Sequence, residues 1–229
     1  MNEWMLYGAN GYTGKLIIEE ALQKGIKPVI AGRNEKAILS LAKEYSLPYK
    51  IFPLENPDEI AKHLEGIKIL LLAAGPFSAT SKPAVDACIK TGTHYLDITG
   101  EIDVFEACKA RHHEAENAGV MLFPGVGFDV VPSDCLAASL HQALPDAHIL
   151  TLAIYSSGGP SAGTSKTIVE GMGSGGMIRK EGKLTKVPSA WKITTIPFKD
   201  KPRMAMTIPW GDVSTAYTST GIPNIAVYM

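Results

Sequence analysis

The chain has 229 residues, of which 45% are hydrophobic and 20% are charged, a composition that excludes a disordered or fibrous protein. Its 22 Lys and Arg residues nearly balance its 23 Asp and Glu residues, and a net charge of -1 gives no general attraction to nucleic acid or to an anionic membrane. At roughly 150 residues per domain, this length predicts one large domain and part of a second.

The first third of the chain alternates short apolar runs with helical periods. Strands are predicted at Met5–Tyr7, Pro28–Ala31, Tyr49–Phe52 and Ile69–Ala74. Helices are predicted over Thr13–Lys24, from an Asn34 cap through Tyr45, and from an Asn56 cap to Gly66. Because Ile69–Ala74 is wholly apolar, we expect it to be a central strand that is buried on both faces.

The same rhythm continues to about residue 155. Strands are predicted at Tyr95–Ile98 and Val120–Phe123, and helices at Pro83–Thr91, Val104–Ala118 and Asp134–Ala143. Six strands that alternate with helices predict an α/β fold with a doubly wound parallel sheet of the Rossmann type.

The pattern changes near residue 148. Eight of the 27 residues from Ser156 to Gly182 are glycine, and a short helix is predicted at Ser165–Met172. The β-prone pieces that follow are Trp191–Ile196, Met204–Ile208 and Ile225–Tyr228. We therefore predict a nucleotide-binding domain over residues 1–148. Residues 149–229 are predicted to be an antiparallel α+β domain for substrate and dimer contacts, incomplete at its C-terminus.

A glycine-rich turn joins the first predicted strand to the first predicted helix. Its sequence is Gly8-Ala9-Asn10-Gly11-Tyr12-Thr13-Gly14. At this position, backbone amides and the helix dipole can hold a pyrophosphate, and glycine allows the phosphates to approach the backbone. The G-x-x-G-x-x-G spacing is a variant of G-x-G-x-x-G, and it predicts dinucleotide binding. A tight turn with a purely structural role is the alternative.

The end of the second predicted strand indicates which dinucleotide binds. An NAD site expects an acidic residue there, whereas this chain has Arg33 followed by Asn34. A guanidinium can pair with the 2′-phosphate of NADP, and Asn34 can add a hydrogen bond. We therefore predict NADP in preference to NAD, with a solvated strand end as the alternative for Arg33.

Later strands end in loops that face the ligand crevice of such a sheet. Gly75, Pro76 and Phe77 follow the fourth strand and can approach a nicotinamide. Carboxylates follow the fifth and sixth strands, at Asp97, Glu101 and Asp129. Each is a candidate for proton transfer in a reaction whose hydride the cofactor supplies. Turn capping and helix starts are the alternative roles for these side chains.

Five segments together resemble a known family. YGANGYTG, AGRN, AAGPF, HYLDITGE and GFDVVPSD, in this order and spacing, are similar to the saccharopine dehydrogenase-like reductases, a family that includes the trans-acting enoyl reductases. The resemblance covers about residues 4–165. It implies a Rossmann domain joined to an antiparallel α/β substrate domain, and an NADP-dependent transfer of hydride to or from a C=N or C=C bond.

The resemblance also implies roles for individual residues. By position, Gly8, Asn10, Gly11, Tyr12, Thr13 and Gly14 would hold the pyrophosphate, Arg33 and Asn34 the adenosine side, and Gly75, Pro76 and Phe77 the nicotinamide side. The substrates of this family include amino-acid conjugates and lipid-linked enoyl groups. Membership therefore implies a small-molecule substrate without choosing one.

Other functions remain open. Cys135, near a helix start, is the candidate nucleophile of a semialdehyde or acyl-phosphate reductase, although the adjacent Asp134 opposes a thiolate. An NADP-binding redox sensor without turnover is a second alternative. None of the eight tyrosines has a lysine four residues later, which excludes the short-chain dehydrogenase mechanism. His112 and His113 point in different directions on a helix, and no metal site is predicted.

The expected location is the cytoplasm. The N-terminus lacks a signal-peptide pattern, and no apolar run is long enough to span a membrane. Cys88, Cys108 and Cys135 form no C-x-x-C motif, which fits a reducing compartment. We expect no nucleic-acid partner, no membrane span and a homodimer formed through the second domain.

Overall fold

The structure is a computed structural model that describes residues 4–156, 158, 173 and 175–229. The chain divides into two compact units. The first comprises Met1–Thr99 and Ala107–Val126, and the second comprises Gly100–Glu106 and Gly127–Met229. The chain therefore enters the second unit briefly between the fifth and sixth strands of the first.

The first unit contains a six-stranded sheet. Its strands are β1 (Trp4–Tyr7), β2 (Val29–Gly32), β3 (Tyr49–Ile51), β4 (Ile69–Leu72), β5 (His94–Asp97) and β6 (Leu122–Phe123). They lie in the order β3-β2-β1-β4-β5-β6, and every neighbouring pair is parallel. The predicted doubly wound sheet is confirmed. Its strand order reverses between β1 and β4, at the edge where such sheets bind ligands.

Six helices connect these strands. They are α1 (Tyr12–Gln23), α2 (Glu35–Tyr45), α3 (Pro57–Leu64), α4 (Phe77–Thr91), α5 (Ile102–Ala110) and α6 (His112–Ala118). Both predicted asparagine caps are present: Asn34 Oδ1 accepts the Ala37 amide at 3.0 Å, and Asn56 Oδ1 accepts the Asp58 amide at 2.9 Å.

Two helix boundaries differ from the prediction. The helix expected to begin at Pro83 begins at Phe77, six residues earlier, and Pro83 lies in its interior. The single helix expected over Val104–Ala118 is divided between α5 and α6 at Arg111, whose backbone is not helical. The Arg111 guanidinium forms ion pairs with Asp86 and Glu114, contacts that no local pattern indicates.

The core on the α1 and α2 side of the sheet is made of short aliphatic residues. Its buried members are Leu6, Ala9, Ile18, Ile30, Ile38, Leu41, Ala42 and Leu47. In β4, Leu70 and Leu72 are fully buried, but Ile69 and Leu71 are not. The prediction that this strand is buried on both faces is therefore only partly correct, because Ile69 and Leu71 line an open apolar groove beside α1.

In the part of the second unit that the structure describes, two helices after residue 126 accompany a six-stranded sheet. Its elements are α7 (Val131–Ala143), β7 (Ile149–Ala153), β8 (Gly176–Lys180), β9 (Lys183–Val187), β10 (Ile193–Pro197), β11 (Pro202–Ile208), α8 (Asp212–Thr220) and β12 (Asn224–Tyr228). The order β10-β11-β12-β8-β9 is antiparallel throughout, and β7 adds a parallel pairing to β12. The predicted second, antiparallel α+β region is confirmed.

Two features of the second unit differ from the predictions, and a third prediction is not tested. α7 belongs to this unit, because its buried Ala137 packs in one core with Leu150 and Leu152, so the boundary lies between 126 and 127 and not at 148. The β8–β9 hairpin and α8 were not predicted, because glycines and short polar residues conceal their periods. The predicted helix Ser165–Met172 lies outside the described residues.

Candidate functional site

Backbone hydrogen bonds fold the glycine-rich turn onto the sheet. The amides of Gly8 and Ala9 donate to the Ala31 carbonyl of β2 at 2.9 and 3.2 Å. The Gly11 amide donates to the Gly8 carbonyl at 3.0 Å. The turn is therefore fixed at the carboxyl ends of β1 and β2, the edge of the sheet where α1 begins.

Two of the three glycines lie so close to other backbone atoms that any side chain would clash with them. Gly8 has a φ of +88°, and a Cβ atom built on it would stand 2.7 Å from the Ala73 carbonyl carbon. A Cβ atom on Gly14 would stand 2.4 Å from the Gly8 carbonyl oxygen, whereas one on Gly11 would stand 3.2 Å from the same oxygen. Gly8 and Gly14 are thus required by close backbone packing, and Gly11 is less constrained.

The N-terminus of α1 is left open to an anion. Its N-cap residue, Gly11, provides no capping side chain, and its first turn holds no acidic residue. In the part of the chain that the structure describes, no acceptor takes the amides of Tyr12, Thr13 or Gly14. These three donors and the helix dipole fit a pyrophosphate group, as the predicted cofactor would supply.

Arg33 stands exposed at the end of β2, beside the turn. No described residue forms an ion pair or a hydrogen bond with its guanidinium, which leaves the guanidinium available for a phosphate. The Asn34 side-chain oxygen is engaged in capping α2, so only its amide nitrogen remains to donate to a ligand. Asn10 extends over Gly32, where a Cβ atom would stand 3.1 Å from its Oδ1. Arg33, Asn34 and Asn10 therefore lie together at this edge.

A buried tyrosine lies near Arg33. The Tyr7 hydroxyl donates to the Phe52 carbonyl at 2.6 Å. The pKa of Tyr7 is raised to about 12, mainly by burial and also by the Glu55 carboxylate, while the Arg33 guanidinium acts in the opposite direction. Tyr7 therefore stays neutral and ties the end of β1 to the segment after β3, beneath the position where Arg33 leaves the sheet.

The loop after β4 is the predicted nicotinamide side. Gly75 precedes Pro76 through a cis peptide bond, and the Phe77 ring packs 3.4 Å from the position of a Gly75 Cβ atom. The Thr80 hydroxyl donates to the Ala74 carbonyl at 2.7 Å, which holds this loop to the first turn of α4. The three predicted residues thus form one ordered turn at the same edge of the sheet as the glycine-rich turn.

Asp97 is fully buried at the end of β5. Its carboxylate accepts the Tyr95 hydroxyl at 2.6 Å, the Thr99 amide at 2.9 Å and the Gly125 amide at 2.8 Å. The Val126 amide also donates to its carbonyl, at 2.7 Å. These bonds tie together the loops that follow β5 and β6, and they favour a structural role for Asp97 over the predicted proton transfer.

Asp129 belongs to the second unit and lies in a crowded turn before α7. Its half-buried carboxylate packs against Gly100, where a Cβ atom would stand 2.8 Å from Oδ2. Burial raises the pKa of Asp129 above its usual range. The next residue, Val130, has a φ of +90°, a strained conformation for a β-branched residue that the surrounding packing must enforce. A strained turn that presents a carboxyl of raised pKa is typical of functional sites.

Glu101, the third predicted carboxylate, precedes α5 in the second unit. Its carbonyl accepts the Val104 amide at 3.1 Å and the Phe105 amide at 3.3 Å, so its backbone begins the helix. This is the alternative role that the sequence suggested for it. Its side chain is half-buried.

The sequence analysis missed Asp212, the first residue of α8, whose side chain is fully buried. Among the described residues, neither of its carboxylate oxygens accepts a hydrogen bond of regular geometry. The pKa of Asp212 is raised to about 6, chiefly by burial and also by the Asp134 and Asp129 carboxylates; the nearby Ser133 hydroxyl and the backbone amide of Asp212 oppose this rise. No sequence pattern distinguishes Asp212 from an exposed acid in a first helical turn.

Three further polar side chains have well-defined surroundings. Arg179 is buried and donates to the Val213 carbonyl at 2.9 Å and the Gly182 carbonyl at 2.7 Å. Ser133 lies in the first turn of α7 and donates to the Val130 carbonyl at 3.3 Å. Cys135, the alternative nucleophile, is exposed.

Among the described residues, no group of three or more His, Cys, Asp or Glu side chains could hold a metal ion. His113 Nδ1 lies 3.3 Å from Glu116 Oε2, and both side chains are exposed. Within the same ranges, none of the helices has both the length and the apolar character needed to cross a bilayer.

Comparison with protein families identifies the first unit. Residues 4–123, which are 120 of the 229 residues, match the family described as the saccharopine dehydrogenase NADP binding domain. The match includes the glycine-rich turn, Arg33 and the loop after β4. It ends at the last residue of β6, just before the chain passes into the second unit.

Curated relatives extend the match. A mouse saccharopine dehydrogenase-like oxidoreductase is 28% identical over 202 residues, which is 77% of this chain and 47% of the relative. A Mycobacterium tuberculosis protein whose name classes it as a trans-acting enoyl reductase is 29% identical over 147 residues, 61% of this chain and 35% of the relative. The chain thus spans about a third to a half of the length of these relatives.

A solved structure shares the fold. Apo saccharopine dehydrogenase (L-Glu forming) from Saccharomyces cerevisiae superposes with a TM-score of 0.71, and the superposition covers 100% of this chain and 55% of that one. The sequence identity is 13%, so this likeness concerns the fold alone. It includes both the parallel and the antiparallel sheet.

Proposed function

Because the chain belongs to the saccharopine dehydrogenase family and carries its NADP-binding domain, we propose that it is an NADP-dependent oxidoreductase that transfers hydride to or from a C=N or C=C bond. The observation that carries this proposal is the N-terminus of α1, where three amides have no acceptor among the described residues, beside Arg33, whose guanidinium none of those residues pairs with. Three free amides suit the pyrophosphate, and the guanidinium suits the 2′-phosphate.

Individual residues take the following roles in this proposal. Gly8, Asn10, Gly11, Tyr12, Thr13 and Gly14 hold the pyrophosphate, Arg33 and Asn34 hold the adenosine phosphate, and Gly75, Pro76 and Phe77 line the nicotinamide side. Bound NADPH supplies the hydride. The chain's own residues orient the cofactor and provide the proton that accompanies the hydride when the substrate is reduced.

We assign the proton transfer to Asp129. Of the three predicted carboxyls, Asp97 is engaged in structural hydrogen bonds, and the Glu101 backbone begins α5. Asp129 has a raised pKa and stands on a strained turn, two properties that suit a general acid. As an acid it donates its proton to the reduced substrate, becomes a carboxylate and regains a proton from solvent.

The names of the relatives contain the words saccharopine dehydrogenase and enoyl reductase. The family resemblance implies a C=N bond in an amino-acid conjugate for the first kind of substrate and a C=C bond for the second. Both reactions require a hydride and one proton, so the same acid serves either. The proposed substrate is therefore a small molecule that contains one of these bonds, and a nucleic-acid partner forms no part of the proposal.

A homodimer through the second unit is also proposed. One face of the β10–β11 hairpin exposes the apolar residues Ile193, Met204 and Met206, and Met204 is 81% exposed. Exposed apolar side chains on adjacent strands support a surface that packs against another copy. A cytoplasmic location is proposed on the three free cysteines, which suit a reducing compartment.

The test begins with cofactor titration. NADPH fluorescence should change on binding, with a lower dissociation constant than NADH, and NADPH should be oxidised in the presence of an imine or enoyl substrate panel. Failure to bind either cofactor at saturating concentration would refute the proposal. Binding without turnover would favour a redox sensor.

The exposed thiol of Cys135 is the observation that keeps a thiol-dependent semialdehyde or acyl-phosphate reductase as a second candidate. Loss of turnover in Cys135→Ser with intact NADPH binding would favour that mechanism. Full turnover in the same variant would exclude it.

A further inference from the structure

Asp212 combines complete burial with a lack of hydrogen-bond partners. It is 0% exposed, and in the part of the chain that the structure describes neither of its oxygens accepts a hydrogen bond of regular geometry, although the Ser133 hydroxyl and the Asp212 amide are close. Asp134, on the facing helix α7, is in a related position: its Oδ2 accepts the Ser219 hydroxyl at 2.7 Å, whereas no described residue bonds its buried Oδ1. The interface between α7 and α8 therefore contains three buried carboxylate oxygens that no described residue bonds with regular geometry.

The charged groups around the first turn of α8 would not neutralise an ionised Asp212 carboxylate. Asp134 on α7 and Asp129 in the preceding turn are acidic and repel a negative Asp212. Glu106 on α5 is acidic and accepts the Ser214 hydroxyl. Arg179 on β8 lies 3.7 Å from Glu106 and donates to two backbone carbonyls, so its hydrogen bonds are used elsewhere.

A buried carboxylate without a donor or a counter-ion is unstable by several kcal/mol relative to its hydrated form. Such a group usually becomes neutral by taking up a proton, above all when a second carboxylate is close. Among the described residues, no group of His, Cys, Asp and Glu at this place could hold a metal ion instead. A proton needs no cavity, removes the charge of Asp212 and turns one of its oxygens into a hydrogen-bond donor.

Contacts connect this carboxyl to the turn that carries Asp129. Gly211, the residue before Asp212, packs so closely that a Cβ atom on it would stand 2.8 Å from the Val130 side chain and 3.2 Å from the Gly100 carbonyl oxygen. Asp129 packs against the other side of Gly100. The start of α8 therefore lies directly behind the strained turn.

We propose that Asp212 is a positioning residue that carries a proton in the working form of the protein and thereby holds the 127–134 turn in the conformation that presents Asp129. The proposal rests on the function proposed above for Asp129. When Asp212 loses its proton, repulsion from Asp134 and Asp129 pushes α8 and the turn apart, and Asp129 is displaced.

The sign of the pH dependence follows from burial. Burial raises the pKa of Asp212 to about 6, above its value of about 3.9 in the unfolded chain. The neutral form is therefore favoured by folding. Its stabilising effect is complete below about pH 4 and is lost as the pH rises through about 6, with no further change above that value.

The experiment compares Asp212→Asn, which is neutral at every pH, with wild type in the full-length chain. Thermal unfolding is followed from pH 4.5 to 8.5. We expect the variant to melt higher than wild type by an amount that grows from pH 4.5 to about pH 6 and then stays constant at several degrees up to pH 8.5. The matched control, Asp146→Asn at an exposed position in the same unit, should follow wild type throughout.

A variant that melts lower than wild type by the same amount at all pH values would overturn the proposal, because it would show that the ionised carboxylate stabilises the fold. If the variant does not fold, ¹³C NMR of aspartate-labelled wild type replaces it. The proposal is supported if one carboxyl signal titrates near pH 6 and that signal persists in both Asp129→Asn and Asp134→Asn, since it then belongs to neither of those residues. Titration of every carboxyl below pH 5 contradicts it.

Kinetics separate this proposal from the proposed function. If substrate turns over, the decline of activity above pH 6 should be absent in Asp212→Asn, while the NADPH dissociation constant stays unchanged. A stability difference that appears without any turnover would support the proton on Asp212 and count against the reductase. Turnover with identical pH profiles in both proteins would refute the positioning role.

Discussion

A methyl group on Gly14 would stand 2.4 Å from the Gly8 carbonyl oxygen, closer than any real side-chain contact. The same oxygen would be 3.2 Å from a methyl group on Gly11. The two glycines flank the same anion-binding amides, but only Gly14 is held against rigid backbone. Their substitutions should therefore differ in effect.

Gly14→Ala should abolish measurable NADPH binding, because relief of the clash moves the first turn of α1 and its amides. Gly11→Ala requires only a few tenths of an ångström of movement and should weaken binding about tenfold or less. Fluorescence titration measures both, with circular dichroism to verify folding. Equal NADPH affinities for the two variants would show that the close contact at Gly14 does not control the position of the anion-binding amides.

Arg33→Ala should raise the NADPH dissociation constant about 10- to 100-fold, since hydrogen bonds to a charged group contribute about 1.5–3 kcal/mol. NADH lacks the 2′-phosphate, and its affinity should change little. Lys36→Ala, which removes an exposed cation at the second residue of α2, is the control for general charge loss. An equal loss of affinity for NADPH and NADH in Arg33→Ala would refute the assignment of Arg33 to the 2′-phosphate.

Asp97→Asn should lower the free energy of unfolding by about 2–4 kcal/mol, because an amide nitrogen would face donors that now bind a carboxylate. Urea denaturation measures this change. Glu44→Gln, an exposed acid-to-amide change on α2, should alter stability by less than about 0.5 kcal/mol. If Asp97→Asn were as stable as wild type but inactive, a catalytic role would replace the structural one.

The three cysteines should react at very different rates. Burial raises the pKa of Cys108 to about 12 and that of Cys88 further still, so neither forms a thiolate near neutral pH. Cys135 is exposed. Brief treatment of the native protein with iodoacetamide should add one group, on the peptide that contains Cys135, whereas treatment in urea should add three. Early labelling of Cys88 or Cys108 in mass spectra would contradict the described burial.

Much of the first unit could be predicted because its signals are local. Every predicted strand of the parallel sheet is present within a few residues, and the Asn34 and Asn56 caps lie where short-range rules place them. Local signals failed where a residue has two common uses. Pro83 was interpreted as a helix start because proline favours the first turn, yet it lies within α4.

The unit boundary and α8 depended on contacts between distant segments. Ala137 packs with Leu150 and Leu152, and this packing assigns α7 to the second unit although α7 follows β6 in an unbroken strand–helix rhythm. α8 was missed because its buried face consists largely of small residues such as Ser214 and Ala216. Their burial comes from the neighbouring elements and not from a hydrophobic period.

The sequence alone determined the order of strands and helices, the glycine-rich turn and the cation at the end of β2, because hydrophobic period, glycine spacing and capping act within a few residues. Only the tertiary structure decided what the carboxylates do. Asp97 and Asp212 are both fully buried, but Asp97 accepts three well-formed hydrogen bonds, whereas Asp212 accepts none of regular geometry from the described residues. A carboxyl's protonation and role depend on which groups surround it in space, and those groups are supplied by residues far apart in the chain.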